Sequence, residues 1–219
     1  MLTTLLRLPR QLTESALSVL GVRAGTEEPP HTRRDLGDGV EIRRYSERIA
    51  AETTVRDTEE GARSAGFRRL AGYIFGANHA DTKIAMTAPV AQHRSAGTKI
   101  AMTAPVSQSA GSDGEWVIRF YMPSKWTMAE LPAPDDDRVR LVTVAPETVA
   151  VLKFSGNRDA QAVAAHVDQL QNTLRAYGFE TVGDATAWFY DPPWTLPFLR
   201  RNEVAIAVTE GSPGSPPTD

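Results

Sequence analysis

Two stretches of alternating apolar and polar residues, 40–45 and 48–56, precede a stretch at helical spacing over 58–77, and the same order returns later in the chain. Residues 139–144 and 148–154 alternate in the same way, with Val139/Leu141 matching Val40/Ile42 and Val149-Ala150 matching Ile49-Ala50. A helix is then expected over 159–177, where Val163, Val167, Leu170, Leu174 and Tyr177 form one stripe at steps of four and three. Further strands are expected at 115–122, 185–190 and 202–208. Strand, strand, helix, strand, strand, twice over, predicts an α+β fold with a pseudo-twofold repeat. One mostly antiparallel sheet, or a distorted barrel, would carry two helices. Each opening pair of strands reads as a hairpin.

The octapeptide Lys-Ile-Ala-Met-Thr-Ala-Pro-Val occurs at 83–90 and again at 99–106. Its spacing suits two extended segments joined by a polar turn over 92–97, with Pro89 and Pro105 at strand ends or edges because proline donates no backbone hydrogen bond. A repeated segment of this kind is a structural device before it is a chemical one.

The length of 219 residues and 41% hydrophobic content fit a folded body over 33–209. Residues 1–32 read as an extension whose last part, 24–32, is a Pro- and acid-containing linker; 210–219 read as a disordered Gly/Ser/Pro tail. Leu2, Leu5, Leu6, Leu8, Leu12 and Leu17 are interrupted by Arg7, Pro9, Arg10 and Glu14, which favours a loosely attached extension over a membrane-surface anchor. No apolar run is long enough to span a bilayer. The net charge of −3 gives no electrostatic case for nucleic acid as a partner. Without cysteine the chain cannot form disulfides, thiolate metal sites or a cysteine nucleophile, and its composition suits a reducing cytoplasm. The sequence contains no nucleophile elbow, phosphate loop, dinucleotide fingerprint or zinc-protease motif.

Several segments together resemble the SOUL/haem-binding protein family: Glu-Ile-Arg-Arg-Tyr at 41–45, Tyr-Ile-Phe-Gly-Ala-Asn at 73–78, and the doubled octapeptide, followed by Phe-Tyr-Met-Pro-Ser at 120–124, Val-Leu-Lys-Phe-Ser-Gly at 151–156, and Tyr-Asp-Pro-Pro at 190–193 leading to Arg-Arg-Asn-Glu-Val at 200–204. They run in family order, and the tandem octapeptide resembles the bacterial branch. The resemblance implies a soluble α+β fold with internal twofold symmetry and binding of haem or related tetrapyrroles. Arg44 stands where some members have a histidine proposed to bind iron, and Gly72 where other members have a lysine.

Haem needs an apolar slot for a flat ring, cations for two propionates and, optionally, an axial ligand. On that implication the first helix offers Phe67, Leu70, Ala71 and Ile74 for the ring and Arg63 for a propionate, with His79 just beyond the helix. The metal ligand stays open. His31, His93 and His166 show no ligand spacing, Met86 and Met102 read as core, and Tyr45, Tyr73 and Tyr190 as structural aromatics. The expected function is reversible sequestration or carriage of haem without catalysis. The alternatives are a general apolar small-molecule or sensor module, and a haem-degrading or hydrolytic enzyme.

Overall fold

The computed structural model describes residues 26–94, 114–191 and 194–209. Among these residues nine strands form one sheet: β1 His31–Gly37, β2 Val40–Tyr45, β3 Arg48–Asp57, β4 Val90–Arg94, β5 Gly114–Tyr121, β6 Arg140–Val144, β7 Glu147–Phe154, β8 Glu180–Phe189 and β9 Asn202–Thr209. Helix α1, Glu59–Ile74, follows β3, and α2, Ala160–Ala176, follows β7. The strand order is β1-β2-β7-β9-β8-β4-β5-β3-β6, with every neighbouring pair antiparallel. Exchanging β2 with β6, β3 with β7, β4 with β8 and β5 with β9 reverses that order and leaves it otherwise unchanged. The internal twofold therefore passes between β4 and β8, and β1 stands outside it. The sheet is open, with β1 and β6 as its edges, so the barrel alternative is not realised.

The two expected hairpins do not form. β2 pairs with β1 and β7, and β3 pairs with β5 and β6. Each half lends its first two strands to opposite ends of the shared sheet. Alternation dictates which side chains face the core but carries no information about the partner strand. The links are short, Ser46-Glu47 between β2 and β3 and Ala145-Pro146 between β6 and β7. Neither supplies the Gly or Asn that a two-residue hairpin turn requires. Two residues span only roughly 7 Å, so the sheet must curl until its distant strands approach at these corners. Arg48 seals this junction: its guanidinium pairs with Glu147 and lies 4.2 Å from the Tyr45 ring centroid and 4.6 Å from that of Tyr121.

The first octapeptide contributes only Val90 to a strand; residues 83–89 run as irregular chain, and Gln92, His93 and Arg94 lie in β4 rather than in a turn. The second copy lies outside the described residues, as do residues 1–25 and the expected tail from 210 on. From residue 26 the expected linker is docked on the body. The Glu27 carboxylate accepts from the Ser124 N–H at 2.8 Å, and Glu28 pairs with Arg201 at 2.7 Å.

Both helices cover the same face. On the α1 side, Leu70, Tyr73 and Ile74 pack with Ala51, Ile118 and Phe120; on the α2 side, Leu170 and Leu174 pack with Ala150, Leu152, Val204 and Ile206. Thr58 caps α1, its hydroxyl accepting from Gly61 N–H at 3.2 Å, and Asp159 caps α2, accepting from Ala162 N–H at 2.8 Å. Gly66 lets α1 sit close on β5: a Cβ there would lie 2.3 Å from Ile118 Cγ1. The helix stops at Ile74, where Asn78 replaces the lost ladder by donating to the Tyr73 and Thr82 carbonyls and accepting from the Ala80 and Thr82 N–H groups. Among the described residues the opposite face carries no helix, and it is lined by Tyr45, Ala50, Ala91, Tyr121, Val149, Trp188 and Ala205.

Candidate functional site

The helix stripe singled out in the sequence divides in two. Leu70 and Ile74 are fully buried against the sheet and belong to the core. Arg63, Phe67 and Ala71, each four residues from the next, form the flank beside that buried row. Phe67 is 38% exposed, its ring meeting Phe120 edge to face at 5.3 Å, and Ala71 is half-buried. His79 lies beyond the other end of α1, exposed, with Nε2 3.6 Å from Asp135. Between Arg63 and the end of the helix lies a rise of roughly 16 Å. The structure therefore does not bring Arg63 and His79 together.

It brings other residues to Arg63. The guanidinium lies 4.7 Å from the Phe189 ring centroid at the end of β8, and that of Arg158, just before α2, lies 5.6 Å from the same ring. Arg63 Nη1 is buried without a hydrogen-bond partner. Neither arginine has a carboxylate within 4 Å among the described residues, though Glu59 and Glu60 lie close enough to offset part of the charge. Burial lowers the Arg63 pKa below the ordinary value. Burial, with Arg63 and Arg200 nearby, pushes Arg158 down to about 10. Both remain cations at neutral pH, held at a cost that an anion would relieve. Arg158 and Phe189 carry no mark in the sequence: one precedes a helix cap, the other ends a strand, and only the fold places them beside α1.

The helix-free face holds its cations differently. Glu203, fully buried on β9, accepts from Arg43 Nη1 at 2.7 Å and Nη2 at 3.0 Å, from Arg201 Nε at 2.8 Å, and from the Tyr190 hydroxyl at 2.7 Å. Burial alone would raise the Glu203 pKa, but these bonds and charges hold it below its usual value. Burial pushes the Tyr190 phenol up, and the Glu203 charge pushes it further, so it stays a donor. Beside this network a cleft of about 220 Å³ lies over Ala91, Val149, Ala205 and Ala207, with Tyr121, Trp188 and His93 in its walls. Burial and then the Arg119 charge lower the His93 pKa, which leaves the ring neutral at pH 7.

The other histidines are occupied. His166 stacks on Phe154 at 4.0 Å with Nδ1 2.7 Å from the Ala162 carbonyl, and His31 leans on Tyr45 at 4.9 Å. Met86 packs on the core near α1. Among the described residues no three His, Asp or Glu side chains are grouped as metal ligands, and no helix is long and apolar enough to cross a membrane.

Residues 26–207 match the family model described as SOUL heme-binding protein. Heme-binding protein 2 of Mus musculus is 31% identical over 176 residues, covering 79% of each chain; the Homo sapiens counterpart is 30% identical over the same share. Among solved structures, the C-terminal domain of EcmrR aligns with a TM-score of 0.56 at 9% identity, covering 78% of this chain and 98% of that one. An uncharacterized conserved protein from Listeria innocua aligns at 0.54 and 11%, covering 78% and 92%. Those two likenesses concern the fold alone. On the family-model match over most of its length and the relatives at 31% and 30% identity, the chain belongs to the SOUL heme-binding protein family.

Proposed function

We propose that this protein binds haem or a related tetrapyrrole reversibly on its helix-covered face, carrying or sequestering it without chemistry on the ligand. The macrocycle would lie on the flank of α1 formed by Phe67 and Ala71, above the buried Leu70 and Ile74. Its propionates would reach Arg63 and Arg158. One observation carries this reading: Arg63 and Arg158 share the Phe189 ring with no acid within 4 Å among the described residues, and a buried Arg63 N–H has no acceptor. A ligand with an apolar plane and carboxylates at one edge meets both needs at once. His79, at the far end of the helix, is an accessory contact at most in this arrangement.

Titration of the purified protein with haemin tests the proposal. A saturable one-to-one Soret shift is expected. Arg63→Ala should weaken it about tenfold, the loss of one charge-assisted contact, whereas His79→Ala should leave it unchanged. No saturable shift in the wild type would overturn the haem reading; loss in His79→Ala alone would move the site along the helix.

A second reading, a general small-molecule module, has the helix-free cleft in its favour, since an alanine floor beneath Trp188 and Tyr121 leaves room for a small flat ligand. Thermal shifts from many apolar ligands, unaffected by Arg63→Ala, would favour it.

A further inference from the structure

The loop over residues 194–199 leaves four apolar side chains in the open: Trp194 is 63% exposed and Phe198 70%, with Leu196 and Leu199 at 39% and 36%. Single exposed apolar residues are ordinary, and Phe75 and Val182 are examples; four within one short loop form a patch. The loop is held in place. Gly156 N–H donates to the Pro197 carbonyl at 2.8 Å, Arg200 Nε to the Thr195 carbonyl at 2.8 Å, and a 3-10 turn closes Pro197–Leu199. The rings are thus presented on a fixed projection.

Arginines flank the loop, with Asp191 and Glu60 close enough to offset part of their charge. Arg158 donates to the Asp191 carbonyl at the start of the loop, and Arg63 and Arg200 lie close enough to lower its pKa. Glu28 meets the body at this same pole, because it pairs with Arg201, whose N–H donates to Asp191 Oδ2 at 2.6 Å. Residues 1–25 carry Arg7, Arg10 and Arg23 against one acid, Glu14, along with a series of leucines. If that segment covered the loop, it would bring like charges onto Arg158 and Arg200. An anionic surface would complement both.

We propose that the loop over 194–199, flanked by Arg158 and Arg200, docks this protein on an anionic lipid surface. Tryptophan and phenylalanine enter the interfacial layer while Arg200, and Arg158 where no propionate holds it, meet lipid phosphates. The inference stands without the haem reading; taken with it, docking would set the Arg63 flank at the bilayer, where an apolar tetrapyrrole partitions.

Co-sedimentation of the full chain with vesicles tests this, comparing phosphatidylcholine alone with phosphatidylcholine mixed with phosphatidylglycerol. The chain is expected to bind the mixed vesicles, to bind neutral ones far less, and to release with added salt. Trp194→Ser/Phe198→Ser should weaken binding at least about tenfold, given the apolar area withdrawn. Phe198→Ser alone should show a smaller loss in the same direction. Both positions are exposed, so melting temperature and haemin titration should match the wild type; this separates the present idea from the haem site. Equal retention on both vesicles, or undiminished binding by the double variant, would overturn it. So would a concentration-dependent dimer abolished by the same substitutions, which would make a second copy the occupant.

Discussion

The two faces of this sheet hold arginines under opposite conditions. On the helix-free face Arg43 and Arg201 close on Glu203, and the pKa of each is raised despite burial. On the helix-covered face Arg63 and Arg158 sit over Phe189, and their pKa values are lowered. Each buried charge has a desolvation cost; the first pair shares a bonded carboxylate, while the second has none within 4 Å among the described residues and only partial offset from Glu59, Glu60 and Asp191. The difference separates a structural use of arginine from one that awaits an anion. Arg48, sandwiched between Tyr45 and Tyr121, extends the contrast, since a guanidinium of the protein fills the aromatic niche on the helix-free face.

The largest expected effect comes from removing the compensation. Glu203→Ala leaves Arg43 and Arg201 facing each other with only the outer carboxylates of Glu41 and Glu28 and should destabilise the fold by about 3–5 kcal/mol. Chemical denaturation monitored by circular dichroism would read it. A loss under about 1 kcal/mol, the range of exposed pairs, would erase the distinction between the faces.

Next in size is Gly66→Ala. The added methyl meets Ile118 at well under contact distance and must push α1 off β5. A loss of about 1–3 kcal/mol is expected, the usual cost of overpacking. The displaced helix would also shift Arg63 and Phe67, so haemin affinity should fall with stability here, whereas Glu203→Gln should leave it intact.

Seven of the nine described strands, both helices and the internal repeat were legible in the sequence because each depends on local periodicity; β1 was not expected, and β4 was placed at 83–90 with its own residues 92–94 read as a turn. Leu70, Ala71 and Ile74 were read as one stripe with Arg63 and Phe67, yet packing splits that stripe into a core row and an open flank. A helical period gives an angular position, not the depth to which the sheet rises around it. Hairpin pairing failed for the related reason that β2 and β7, or β3 and β6, meet across 88 residues or more, as in Glu52 opposite Arg140. Arg158 and Phe189 were invisible because their role is created by proximity to α1. Glu203 was read only within the expected strand 202–208 and the Arg-Arg-Asn-Glu-Val segment, but its burial among two arginines and Tyr190 depends on how β9 enters the middle of the sheet.

Acid titration addresses Glu203 again on a smaller scale. Its pKa is depressed below the ordinary 4.5, so its contribution to stability is complete above that pH and is lost as the pH falls through the lower folded value. Wild-type stability should therefore drop steeply below about pH 4.5, with a shallower slope in Glu203→Gln. Parallel slopes would show that other carboxylates dominate acid unfolding.

The smallest effect is the sharpest probe of the helix-covered face. Arg63→Met keeps the length and apolar contact over Phe189 and removes a buried cation that has no hydrogen-bond partner at Nη1. If that cation is retained for a ligand rather than for the fold, stability should stay within about 1 kcal/mol of wild type and shift upward. Haemin affinity should fall in the same variant. That opposition, a steadier fold with a weaker ligand, is the signature of a site kept under strain for binding. A loss of stability comparable to that of Glu203→Ala would instead show that Glu59 and Glu60 already compensate Arg63, and that both faces use arginine for structure alone.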